Sequence, residues 1–447
     1  MKRTLLPDLP TLRALVAACV ETKSQQGHDT AGLGELLART ADSYDALLAV
    51  AEQVAARPLR VDWPYDEPDD LDAIAAACSP PPPVPAGEGV EARIETAFLA
   101  RVAGCILGKP FEFDPTLAEL RAVLEPAGEW PLRDYVTEAT NGLLRQPQPQ
   151  WPSLVRERIT AVCEDDDLNY TVLAMLLLEQ HGDAFTPADV RRQWLFQLPV
   201  LATFGPERTQ LVAAAAAHLV TAPGEDDEWA DLLNPFDEHC GALIRADAYG
   251  YACPGDPWRA ASLAYRDAIT THRRTGVYAT MFVAAALAMA LARDGTDRLH
   301  PFRVALSVVP ARSRFAEIVR QSLAEVDAAT DWLDGYDRIH GRYAAYSHCQ
   351  VYQEIGTLFV TARFASDVGD GLGMQVCQGN DTDSFGATAG SYLGALLGPT
   401  AFDRAHWLGR FQNRIDLALA TFHDSDLSAL ATRMSQLPTS VSPRPAH

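Results

Sequence analysis

Two short acidic runs carry the chemistry that is readable in this chain: Glu164-Asp165-Asp166-Asp167 and Asn380-Asp381-Thr382-Asp383-Ser384. Each stands directly before a mostly apolar stretch, Leu168 to Leu178 in the first case and Phe385 to Gly394 in the second. Alone, the first run suits the opening turn of a helix, because acids favour the positive end of the helix dipole. A carboxylate run leading into apolar sequence is costly to bury unless a cation accompanies it. If the fold brings the two runs together, they make one oxygen-rich site for a divalent cation.

Other readings of these residues fail on spacing. An EF-hand loop counted from Asp165 would need Gly at its sixth position and Glu at its twelfth, where this chain has Tyr170 and Leu176. Asp381-Thr382-Asp383 shares two aspartates with haloacid-dehalogenase-type phosphatases, but that signature ends a buried strand in an α/β fold, and this chain reads as helical. Gly104 to Lys109 misses the phosphate-loop spacing, and Pro110 stands where the hydroxyl would be. Glu112 and His272 stand out less: a lone acid near a turn is by default solvated, and a lone histidine is by default surface or core.

The elements that must position these residues read as helices. Thr186-Pro187-Ala188-Asp189 joins an N-cap hydroxyl, a proline at the first helical position and an acid at N3, so a helix through Trp194 is predicted, with Gly182 ending the one before it. Leu211–Val220, Ala260–Ile269 and Val277–Ala292 keep helical spacing, and strand-like alternation is nearly absent. Gly386, Gly390, Gly394 and Gly398 recur every fourth residue and line one helix face; Gly104 and Gly108 repeat the pattern. Mid-helix glycine costs roughly 0.5–1 kcal/mol relative to alanine, so the period predicts close packing of helix backbones. The expected fold class is all-α.

Before the main body, Leu12–Val20, Leu33–Ala49 and Leu71–Ala77 carry apolar residues near helical spacing, which predicts an N-terminal helical extension over 1–78. Ser79-Pro80-Pro81-Pro82-Pro83-Val84-Pro85 predicts a stiff linker over 79–90, and Trp63 to Pro68 an extended loop against the body. The body is expected over 91–436 and a disordered tail over 437–447, which is rich in Pro and Ser.

Composition bounds the partners. The chain has 447 residues, 48% hydrophobic and 21% charged, which fits a globular protein with a sizeable core. Its net charge of −22 argues against nucleic acid and anionic membrane as partners, and an anionic substrate would need bound cations. Lysine occurs only at Lys2, Lys23 and Lys109, a bias to which we give no mechanistic weight. The eight cysteines form no CxxC pair or zinc spacing, so a reducing cytoplasm is the expected location. No N-terminal signal segment is evident, and Val277–Ala292 is shorter than the ~20 residues of a membrane span.

Four segments, Arg101 to Glu112, Glu164 to Thr171, Gly241 to Arg245 and Gln378 to Ala387, resemble in this order the blocks of the ADP-ribosylglycohydrolases. That family includes the dinitrogenase-reductase-activating glycohydrolases and J1 crystallin. The resemblance runs from about Glu91 to Pro399, and its last block is the most specific. It implies an orthogonal multi-helix bundle with two Mg²⁺ or Mn²⁺ ions in a cleft. The metal ligands it implies are Glu164, Asp165, Asp166, Asp381, Asp383 and Ser384. It also implies catalytic roles for Glu112, Asp166 and Asp383, and substrate contacts at Gly241, Arg245, His272 and Asp167. The chain departs from the pattern in the first block, where most members have Thr-Asp-Asp-Thr: Glu164 and Asp167 replace the two threonines, and Ser384 replaces a threonine in the second.

The implied activity is hydrolysis at the ribose anomeric carbon of an ADP-ribosylated protein side chain or small molecule. Alternatives are hydrolysis of NAD-derived or nucleoside metabolites, and a non-catalytic ADP-ribose-binding relative. The all-oxygen ligand set suits Mg²⁺ or Mn²⁺ over Zn²⁺. Two such ions about 3.5–4 Å apart could hold vicinal ribose hydroxyls and share a water, while carboxylates stabilise an oxocarbenium-like transition state.

Overall fold

The computed structural model describes residues 7–112, 115–141, 150–218, 233–293, 295–347 and 349–441. Among them the chain is helical throughout, with only isolated β-bridges between loops. The expected all-α class is observed.

At the centre, helix Val90–Gly108 packs along helix Thr382–Leu397. Their glycines explain how closely: a Cβ on Gly104 would lie 2.0 Å from the Gly386 carbonyl oxygen, one on Gly108 2.1 Å from that of Thr382, and one on Gly390 2.3 Å from that of Ala100. The four-residue period is therefore a seam of backbone against backbone. Gly398 is the exception, since it ends the helix at φ +75°. Helix Arg274–Ala290 is buried from Thr275 to Ala290, as the Val277–Ala292 stretch predicts. Its Phe282 joins Phe302, Phe315 and Phe359 in an aromatic cluster.

Local punctuation behaves as its chemistry requires. Thr186 and Asp189 form a reciprocal capping box over helix Pro187–Gln197, and Gly182 ends helix Asp166–His181 at φ +61°. The single helix expected from Leu33 to Ala49 is two, Leu33–Arg39 and Tyr44–Ala55, because the Ser43 hydroxyl accepts the Ala46 N–H and starts a new one. The helix expected over Leu211–Val220 is Gly205–His218; positions 219 and 220 lie outside the described residues.

The first three helices enclose a small core of their own around Leu12, Val16, Leu33, Leu47 and Val50, to which Leu233 of the body contributes. Polar bonds hold this unit to the segment after Leu233: Thr22 Oγ1 donates to Pro235 O at 2.9 Å and Gln26 Nε2 to Asp237 Oδ1 at 2.6 Å. Buried Arg314 joins Glu67 of the extended loop at 2.9 Å to Glu238 of that segment at 3.0 Å. The proline-rich stretch lies along the body, with Ser79, Val84 and Gly87 N–H groups donating to Ser307, Gly255 and Leu291 carbonyls. Within the tail expected over 437–447, Leu437–Ser440 form a short helix and Leu437 and Val441 are buried, which corrects the expectation there; 442–447 lie outside the described residues.

Candidate metal and substrate site

Asp165 is the N-cap of helix Asp166–His181, its Oδ1 accepting the Asp167 N–H at 2.9 Å. Its Oδ2 accepts from the Lys109 ammonium, which lies 3.7 Å from Glu112. Lys109 and Glu112 follow directly from helix Val90–Gly108, so the glycine seam also sets this ion pair. Thr382 Oγ1 donates to Gly108 O at 2.8 Å and ties the start of the second acidic helix to the same corner.

The approach to that helix is a left-handed turn. Gly379 and Asn380 have φ of +82° and +63°, and a Cβ on Gly379 would meet Pro115 O at 2.1 Å, so only glycine fits there. The turn delivers Asp381, which caps no backbone N–H; its Oδ2 accepts from the Cys240 thiol at 3.1 Å. Asp383 Oδ1 accepts the Ser384 N–H at 3.0 Å. Asp381, Asp383 and Ser384 are all buried.

Electrostatics shows how close the two runs come. Burial, then the charges of Asp165 and Asp383, push Asp166 well above the usual carboxylate range. Burial and Asp165 also raise Asp383, with Lys109 opposing. Half-buried Glu112 is pushed up to about 10 by burial first and Asp383 next, again against Lys109. Lys109 is held as an ammonium by Asp165 and Asp383 in spite of its burial. The fold thus brings Glu112, Asp165, Asp166, Asp381 and Asp383 to one corner, with Ser384 beside them.

Other expected residues occupy different positions. Glu164 is exposed just outside the cap. Asp167 is buried beneath the site, where Arg101 Nη2 donates to its Oδ1 at 3.2 Å while Nη1 donates to Asp247 Oδ2 at 3.0 Å. Its other oxygen, Oδ2, is buried with no hydrogen-bond partner.

The other three residues expected to touch substrate, Gly241, Arg245 and His272, form a wall packed by its own contacts. Arg245 is 1% exposed; it donates to Asp267 Oδ1, Glu207 Oε1, Gly241 O and Thr271 Oγ1, and its guanidinium lies over the Trp194 ring at 4.7 Å. With its donors so engaged, Arg245 shapes the wall and is not presented to a phosphate. Gly241 makes room for a side chain of this chain: a Cβ there would lie 2.5 Å from Glu207 Oε2. His272 is fully buried, with Nδ1 2.7 Å from Thr271 Oγ1 and 3.7 Å from Glu207, and burial followed by Arg245 drives its pKa well down.

Sequence reasoning missed Lys109, Arg101, Asp247, Glu207 and Cys240. Lys109 carried a signal, as one of three lysines in the chain and the one set inside a glycine-spaced block. A cavity of about 440 Å³ lined by Arg133, Asp370, Phe402, His406 and Trp407 lies elsewhere and includes none of these acids.

The residues present fit divalent cations. Asp166, Asp381, Asp383 and Ser384 offer hard oxygen donors, Asp167 has a buried carboxylate oxygen without a partner, and the bonded cations at this corner are Lys109 and Arg101. Asp165 is already engaged on both oxygens by Lys109 and the Asp167 N–H.

Comparison with known proteins agrees with this architecture. The family model described as ADP-ribosylglycohydrolase matches residues 86–440. A solved structure titled "ADP-ribosylglycohydrolase-related protein complex" is similar at a TM-score of 0.50 and 19% identity, covering 79% of this chain and 100% of that one, which is a likeness of fold. No curated protein matches the sequence.

Proposed function

The chain belongs to the ADP-ribosylglycohydrolase family, and on that premise we propose that it is a Mg²⁺- or Mn²⁺-dependent hydrolase of the bond at the ribose anomeric carbon of ADP-ribosyl compounds. The family supports a glycosidase acting on ADP-ribose-type substrates. The observation that supports the finer reading is geometric: Gly108 O accepts from Thr382 at 2.8 Å while the next residue, Lys109, binds Asp165, so the starts of the two acidic helices, far apart in sequence, meet at one corner.

Asp166, Asp381, Asp383 and Ser384 would hold the cations. When bound, these supply Lewis acidity toward ribose hydroxyls and a water of lowered pKa. Asp166 and Asp383 place negative charge where positive charge develops at the anomeric carbon. Glu112, whose pKa burial and Asp383 raise to about 10 in the absence of cations, gives its proton to the leaving-group atom. Lys109 fixes Asp165, and through it the first turn that carries Asp166. Among the described residues no helix is long and apolar enough to cross a membrane.

The test is incubation with Mg²⁺ or Mn²⁺ and a panel of ADP-ribosyl-arginine, ADP-ribosyl-serine, NAD and simple ribosides, with products followed by mass spectrometry. Release of ADP-ribose from one of the first two supports the reading; turnover of NAD or ribosides alone replaces it with a metabolite hydrolase. Asp383→Asn abolishes turnover and lowers the bound-metal stoichiometry. Full activity in that variant sinks the proposal.

A further inference from the structure

Beside the oxygen-rich corner lies a second donor set of different chemistry. Cys240, Cys349 and Asp381 each present one ligand atom, the two sulfurs and a carboxylate oxygen, all within 4.8 Å of one another. Backbone pairing fixes the arrangement: Cys240 N donates to Cys349 O at 2.8 Å, next to the antiparallel bridge between His239 and Gln350. The two cysteines therefore face each other across a paired turn. Cys240 and Asp381 are buried and Cys349 is half-buried, which leaves one side of the set reachable from solvent.

We propose that Cys240, Cys349 and Asp381 form a binding site for a thiophilic divalent cation, Zn²⁺, distinct in chemistry from the hard-cation site with which it shares Asp381. Zinc takes thiolates at about 2.3 Å and carboxylates at about 2.0–2.2 Å. A tetrahedron with those lengths sets the two sulfurs roughly 3.8 Å apart and each sulfur roughly 3.5–3.7 Å from the oxygen, so closing the triad on an ion requires about 1.3 Å of contraction at most. Cys240 Sγ and Asp381 Oδ2, at 3.1 Å, already lie inside that spacing and open by roughly half an ångström as the thiol hydrogen bond gives way to the ion. On binding, each cysteine gives up its thiol proton to solvent and supplies a thiolate, so a dication leaves the set at net charge −1 with three protein ligands and room for a fourth. Sulfur donors exclude Mg²⁺ as the occupant, whereas the neighbouring Asp166, Asp383 and Ser384 offer oxygen alone.

Because Asp381 belongs to both sets, zinc at the triad takes a ligand from the hard-cation site and suppresses turnover. This consequence rests on the function proposed above, whereas zinc binding does not.

Metal-stripped protein is titrated with Zn²⁺ in the presence of a phosphine reductant, and bound zinc is counted after dialysis. Wild type is expected to hold one zinc equivalent that both Cys240→Ser and Cys349→Ser lose, while Cys78→Ser, remote from the set, keeps it. Co²⁺ in place of zinc gives a near-ultraviolet thiolate charge-transfer band in wild type, absent from both variants. Circular dichroism melts show that the variants are folded. Equal zinc retention in wild type and both variants, or no thiolate band with cobalt, overturns the site. At constant Mg²⁺, zinc inhibits wild type and spares Cys349→Ser; zinc bound through both sulfurs without inhibition overturns the sharing of Asp381 and leaves the zinc site standing.

Discussion

Gly104 and Gly386 touch backbone to backbone, the Gly386 carbonyl oxygen filling the place where a Gly104 side chain would begin. This seam holds Lys109 and Glu112, at the end of one helix, against Asp383, at the start of the other. Gly104→Ala puts a methyl carbon 2.0 Å from that oxygen, so the helices must separate. Overpacking of this kind costs about 1–3 kcal/mol. The variant is expected to lower the unfolding free energy by that amount, read as a lower urea midpoint at unchanged slope, and to weaken Mg²⁺ binding, whereas Gly409→Ala, with open space around it, changes neither. Unchanged stability in Gly104→Ala would mean that the seam is not rigid.

Glu112 and Lys109 make a pH prediction with a definite sign. Glu112 acts in its protonated form, so kcat/KM falls as pH rises through its pKa. That pKa is about 10 without cations, and lies lower once they are bound, because added positive charge favours the carboxylate. The Lys109 ammonium at 3.7 Å also lowers it. Lys109→Met therefore moves the basic limb of the pH profile upward, and Glu112→Gln removes the limb together with most of the activity. A limb that shifts downward in Lys109→Met excludes Glu112 as the acid.

What the sequence disclosed and what it hid divide by range. Asp165 as a helix opener, Gly182 as a stop and the Thr186–Asp189 capping box depend on residues within a few positions of one another, and so does the glycine face that includes Gly386 and Gly390. Lys109 with Asp165, Arg101 with Asp247, Glu207 with Arg245 and Cys240 with Asp381 join distant segments, and nothing local shows that either residue meets the other. The family resemblance covers both sets of residues, yet it does not separate those at the corner from those packed behind it. Arg245 and Asp167 carry charge for the interior.

Arg245 is the sharpest case. Its bonds to Glu207 and Asp267 are fully buried, and removing one partner of a buried ion pair costs roughly 3–5 kcal/mol. Arg245→Lys keeps the charge but loses the planar fork that reaches four acceptors, so it is expected to destabilise strongly. Denaturant midpoints together with KM measured on the folded fraction check this. Stability should fall while KM changes little. A large rise in KM at unchanged stability would instead place the guanidinium on the substrate.

The N-terminal extension carries its own pH dependence. His28 is buried, and its Nδ1 lies 2.5 Å from the Arg57 carbonyl, which only accepts, so Nδ1 bears the proton. Nε2 is buried without a hydrogen-bond partner. Burial lowers the pKa to about 4; Lys23 and Arg274 add to the effect, and the Arg57 carbonyl and Glu238 oppose it. An unfolded histidine titrates near 6.5, so the neutral form favours the folded state above that pH, and its contribution is lost as pH falls through 6.5 toward 4. Acidification from pH 7 to 5 should therefore loosen the extension. Hydrogen exchange in residues 9–55, corrected for the intrinsic effect of pH, should quicken in wild type and change less in His28→Phe. Equal protection at both pH values in wild type would show that His28 is not the group that couples the extension to protons.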